Sequence, residues 1–103
     1  MFGMIVRIEV YPGKRDEMIG ILEESARNMA GCLSYVVAKD EGNEDAIWIT
    51  EVWESAKSHD DSLALPAVKA AVPRGRLLVT RFEKVAVTTP VWNGAASAWP
   101  PAS

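Results

Sequence analysis

The residue types that build most metal and nucleophile sites are almost missing: the 103-residue chain has one cysteine, Cys32, and one histidine, His59. A single cysteine excludes a disulfide within the chain and makes a reducing cytoplasm the expected compartment. One Cys and one His cannot hold zinc without several carboxylates, and neither an H-x-x-E pairing nor a C-x-x-C occurs. A glycine-rich phosphate loop is also missing, so no organic cofactor is implied. Eleven Lys and Arg against 14 Asp and Glu give a net charge of −3. Without a basic cluster, that balance argues against nucleic acid as a partner. No apolar run is long enough to span a bilayer. The apolar opening, Met1 to Val6, meets Arg7 and Glu9 at once, so no secretory leader is expected.

What is present is apolar periodicity, with 49% of residues hydrophobic. Met4 to Tyr11 alternates, with Met4, Val6, Ile8 and Val10 on one face, as a half-buried strand does. Pro12-Gly13 ends it. From Lys14 the period lengthens: Met18, Leu22, Ala26 and Met29 form a helical stripe, Asp16 and Glu17 suit the first turn, and Gly31 reads as the C-cap. Leu33 to Lys39 is a second strand, Asp40 to Asp45 an acidic solvated turn, and Ala46 to Trp53 a third strand. Ser55 reads as the N-cap of a short helix through Leu65. Pro66 opens a second short helix that runs toward Pro73 and breaks at Gly75. Leu77 to Val87 is the fourth strand. Residues 89–103, rich in Pro, Ala and Trp, read as a tail outside a single domain over 1–88. Its Trp92 and Trp99 suit an arm docked on this subunit or a partner.

The order β-α-β-β-α-β predicts an α+β, ferredoxin-like subunit with an antiparallel sheet. Helices cover one face of such a sheet. The other face should alternate in polar residues if it met water. The third strand instead offers Ile47, Ile49 and Trp53 on one side and Trp48, Thr50 and Val52 on the other. A second copy of the chain is the simplest cover, so a homodimer with sheet facing sheet is expected.

Four segments then acquire a common meaning: VRIEVYPGKRDE from Val6 to Glu17, Gly31-Cys32-Leu33-Ser34-Tyr35, Ile49-Thr50-Glu51-Val52-Trp53, and Ser62 to Val68. In this order they resemble the antibiotic biosynthesis monooxygenase (ABM) family of dimeric α+β barrels, across residues 4 to 87. The resemblance implies a dimer with a small-molecule cavity between sheet and helices in each subunit. Several members oxygenate quinols or polycyclic phenols with molecular oxygen and without flavin, haem or metal. The substrate itself supplies the electrons, so the pocket needs aromatic walls and one or two polar groups. The expected activity is therefore cofactor-independent monooxygenation of a small hydrophobic aromatic compound. The alternatives are a non-catalytic binding or structural dimer, or an isomerase or decarboxylase in the same cavity.

The candidate site residues are His59, Trp53, Tyr35 and Ser62, with Glu51 and Arg81 as polar support. Many relatives carry His or Trp nine residues after the E-x-W tryptophan, where this chain has Ser62. His59, one helical turn earlier, lies on nearly the same face and either substitutes or merely caps and packs. An imidazole is the natural acid/base near neutrality. Trp53 would be a cavity wall. Tyr35 would place its hydroxyl in the cavity or at the dimer surface. Glu51, mid-strand among apolar neighbours, needs a partner such as Arg7 or Arg81 if buried. Haem-degrading relatives use an asparagine on the first strand. The nearest position here is Val6, which argues against haem cleavage. Cys32, at a strand start with the lone histidine on another element, reads as structural.

Overall fold

The computed structural model describes residues 1–92. Its elements are β1 (Phe2–Val10), α1 (Arg15–Ser25), β2 (Cys32–Lys39), β3 (Ala46–Trp53), α2 (Ala56–Ser62), α3 (Pro66–Arg76) and β4 (Val79–Thr88). The strands form one antiparallel sheet in the order β2-β3-β1-β4, the ferredoxin-like arrangement. The alternation in β1 sorts its side chains as expected: Met4, Val6, Ile8 and Val10 are buried while Ile5, Arg7 and Glu9 are half-buried on the opposite face. Ile47 and Ile49 of β3 join that core from the sheet, and Met18 and Ile21 from α1 close over it.

Two boundaries and one turn differ from the periodic reading. The helical stripe continues to Met29, but α1 ends at Ser25 with Ala26 as its C-cap. Asn28 then takes φ 56°, and Gly31 takes φ 79° in the turn that enters β2 rather than capping the helix. Asparagine is among the few residues that tolerate a left-handed conformation. Its presence there unwinds the chain before the apolar stripe runs out. The second boundary lies in α3, which continues through Pro73 and Gly75 to Arg76. Pro73 and Lys69, four residues earlier, are both exposed, so water can take the carbonyl that the missing N–H leaves. Gly75 is buried, and a Cβ there would lie 3.1 Å from Met18 Cε, so the glycine lets α3 pass close to α1. The turn is that of residues 40–46, which are not simply solvated. The Arg15 guanidinium donates to the carbonyls of Asp40, Asn43 and Ala46, and Asp40 accepts from the Trp48 indole at 2.8 Å. That indole bond and the Gly42 amide hold the Asp40 carboxyl below its ordinary range.

Gly31 also positions α2. Its carbonyl accepts from Glu54 N–H at 2.9 Å, and a Cβ on it would sit 2.6 Å from Ser58 Oγ and 2.7 Å from Ser58 Cβ. Ser55 caps the same helix by accepting from the Ser58 N–H, as its sequence position predicts. A Gly31→Ala substitution therefore meets both a left-handed backbone and an occupied volume one residue from His59. It should cost about 1–3 kcal/mol, read as a lower urea midpoint. An unchanged midpoint would mean that α2 has room to withdraw.

Candidate functional site

The helix-facing side of the sheet carries its side chains in rows fixed by strand register. Tyr35, Glu51, Met4 and Val87 form one row, and Cys32, Trp53 and Phe2 form the row beyond it. Between this floor and the helices lies a half-open cavity of about 560 Å³. Five of the six residues singled out from the sequence line it: Tyr35, Glu51, Trp53, His59 and Ser62. Three come from the floor and two from α2.

Trp53 is 1% exposed, and its Nε1 donates to Glu51 Oε1 at 3.0 Å. The two residues stand at i and i+2 on one strand, so they share a face and this bond is local. His59 lies over them with its side chain 16% exposed, low enough to make it part of the wall. Its ring meets the edge of Trp53 with centroids 5.5 Å apart and planes at 80°, and it lies 5.5 Å from Phe2. His59 Nε2 is 4.0 Å from Glu51 Oε1, while Nδ1 is 3.3 Å from Asp60 Oδ1. The imidazole thus stands between a buried carboxylate and an exposed one. Trp48 faces the other side of the sheet beneath the Arg7 guanidinium and leaves the cavity unfilled.

The profile of the antibiotic biosynthesis monooxygenase family matches residues 1–74 of this chain. The chain belongs to that family. A protein of Chloroflexus aurantiacus J-10-fl, provisionally named an antibiotic biosynthesis monooxygenase, is 49% identical, with a TM-score of 0.86 over 89% of this chain and 94% of its own. Two more distant structures show the shared fold alone. One, from Deinococcus radiodurans, is 23% identical with a TM-score of 0.76, covering 90% of this chain and 95% of its own. The other, from Nitrosomonas europaea, is 9% identical with a TM-score of 0.80, covering 89% and 100%. No protein of curated function matches the chain significantly.

Within this ABM domain Arg81 is not where the sequence places it. Arg81 pairs in register with Glu9 and bonds Glu83 at 3.0 Å, while Arg7 bonds Glu9 at 2.7 Å. Both arginines lie on the face away from the cavity, because β1 alternates and Glu51 shares its side with Met4 rather than with Arg7. The donor to Glu51 is the Trp53 indole instead. Ser62 reaches the cavity, but its hydroxyl donates to the His59 carbonyl and so has no proton left for a ligand. Phe2 is a site residue that the sequence reading missed by starting the strand at Met4. Its signal was the same alternation extended back by two positions, which pairs Phe2 with Trp53. The arm expected around Trp99 lies outside the described residues.

Tyr35 faces the cavity rather than the opposite sheet face, and among the described residues its hydroxyl has no hydrogen-bond partner. Burial, with the charge of Glu51 beside it, pushes the phenol well above its ordinary value near 10. The neutral phenol is the form favoured by folding. The stability this contributes is complete below about pH 10 and is lost as pH rises beyond that point. Ultraviolet titration should therefore show one tyrosine ionising above the ordinary range, absent in Tyr35→Phe. Ionisation of both tyrosines near pH 10 would refute the burial account. The Cys32 thiol is also pushed up, chiefly by burial, and donates to the Ser34 carbonyl at 3.6 Å. A thiol so placed is not a ready nucleophile. Among the described residues no three His, Cys, Asp or Glu side chains form a group that could hold a metal ion. No helix there is long and apolar enough to cross a membrane.

Proposed function

We propose that the protein is a cofactor-independent monooxygenase that inserts one atom of molecular oxygen into an electron-rich aromatic compound, a quinol or fused-ring phenol. One observation carries the reading: His59 stands in the wall of an apolar cavity, against Trp53 and 4.0 Å from buried Glu51. A phenol seated over Met4 and Val6 would give its proton to His59 Nε2. The carboxylate of Glu51 would stabilise the imidazolium so formed, and the Trp53 indole would hold that carboxylate in place.

The resulting anion is the reductant. One electron passes to O₂, and the radical pair recombines at a ring carbon that bears hydrogen. The peroxide formed there takes the proton back from His59 and loses water, leaving a carbonyl. Substrate plus O₂ gives a ketone or quinone plus water, and every electron comes from the substrate. The apolar walls keep bulk water from the intermediates. Oxygen uptake with a panel of naphthols, anthrols and quinols in chelator-treated buffer tests this directly. Uptake with at least one of them above the rate without enzyme supports the reading. No uptake with any of them favours a non-catalytic binding subunit.

The working unit under this proposal is a homodimer. The sheet face away from the cavity carries Ile5, Trp48 and Val52 with exposed Val36 beside them. Sedimentation at micromolar concentration should give twice the 11.2 kDa of the chain, and Val36→Lys should shift it toward the monomer. A wild-type monomer would remove this part of the proposal.

A further inference from the structure

The cavity has a second polar region that the chemistry above does not use. Arg76, the last residue of α3, and Lys84 of β4 both line it. Six other cations are matched: Arg7, Lys39, Lys57, Arg74 and Arg81 each meet a carboxylate, and Arg15 binds backbone carbonyls, while Lys14, Arg27 and Lys69 are exposed outside the cavity wall. Arg76 and Lys84 have no such partner among the described residues. Among the described residues the only carboxylate in the cavity wall is Glu51, and the register sets it apart from Lys84. Lys84 pairs with Val6 and Glu51 with Met4, two strands and one row away. With strands about 4.8 Å apart and about 6.8 Å between same-face neighbours, the two Cα atoms are about 12 Å apart. Apolar Met4, Val6, Ile49 and Phe82 occupy the floor around them.

We infer that the substrate is an aromatic acid, bound with its carboxylate between Arg76 and Lys84 and its oxidisable ring beneath His59. This rests on the oxygenase reading for what happens to the ring, but not for the binding site. An anion is attracted by these two wall cations and repelled by Glu51, which stands two strands from Lys84, so the cavity's own field sets the orientation. The guanidinium offers a planar pair of donors to a carboxylate, and the ammonium a point charge beside it. The apolar floor of Met4, Val6, Ile49 and Phe82 suits a fused two-ring system.

Calorimetric titration with 2-naphthoate and its neutral analogue 2-naphthamide tests the assignment without turnover. The wild type should prefer 2-naphthoate by about tenfold at low salt, with the preference shrinking as salt rises. Arg76→Gln/Lys84→Gln should bind both ligands equally, with 2-naphthamide affinity unchanged from wild type. Lys69→Gln removes an exposed cation outside the cavity wall and should keep the preference. No preference in the wild type, a preference that survives in the double variant, or no binding of either ligand would overturn the inference. The two readings fail separately. A protein that prefers the acid but consumes no oxygen loses only the oxygenase reading. One that oxidises neutral quinols and shows no preference loses only this one.

Discussion

Replacing His59 with alanine is expected to lower the rate of oxygen uptake by about 10²-fold or more, the usual loss when a positioned general acid/base is removed. The fold should survive. His59 is a partly exposed wall residue, and its ring contacts with Phe2 and Trp53 contribute about 1 kcal/mol. Circular dichroism should therefore be unchanged while turnover collapses. Exogenous imidazole should restore part of the rate, because the cavity left above Trp53 has the shape of the lost ring. His59→Gln keeps the bulk without a base and should be as slow as alanine. If His59→Ala turns over at the wild-type rate, proton removal lies elsewhere, and Tyr35 and Glu51 become the remaining groups to test.

The second large effect is on stability. Trp53→Ala should cost about 3–5 kcal/mol for the lost packing of a fully buried indole. It also leaves Glu51 without the donor to its buried carboxylate, which adds about 1–3 kcal/mol. A loss of this size is a large part of what a domain this small has in total, so Trp53→Ala is expected to be largely unfolded. Trp53→Phe separates the two contributions, since the ring is mostly kept while the N–H is lost. It should lower urea stability by about 1–3 kcal/mol. Trp53→Phe/Glu51→Gln should recover part of that, because the neutral amide is less costly to bury without a donor. A fully stable Trp53→Phe would mean that a water molecule or another group already serves Glu51.

The sheet and most of the cavity wall were legible in the sequence because both depend on period-two alternation. Once Met4, Val6, Ile8 and Val10 are assigned to the core, strand pairing carries Glu51, Trp53 and Tyr35 to the same side. Their meeting with His59 follows from a short capped helix beginning at Ser55. What alternation cannot supply is the lateral partner of a charged residue. Arg81 and Glu51 looked complementary because only their strands were considered, whereas their faces are opposite. Helix ends were misplaced for a related reason. A stripe of apolar residues continues to Met29 after the backbone has left the helix at Ser25, and Gly75 breaks nothing because close packing against Met18 needs a residue without a side chain. Arg76 and Lys84 were invisible as site residues, since two solvated-looking cations on different elements acquire a joint role only in three dimensions.

The sheet order has a consequence for how the chain acquires its structure. β1 lies between β3 and β4, so among the described strands the earliest in the chain is hydrogen-bonded along one edge to the latest. Until residues 79–88 leave the ribosome, that edge stays open and able to template strands from other chains. The family profile ends at residue 74, before β4 begins. The segment most recognisable by descent is therefore not by itself a complete folding unit. Closure of a loop of about 70 residues, rather than the local helices, should set the pace of folding.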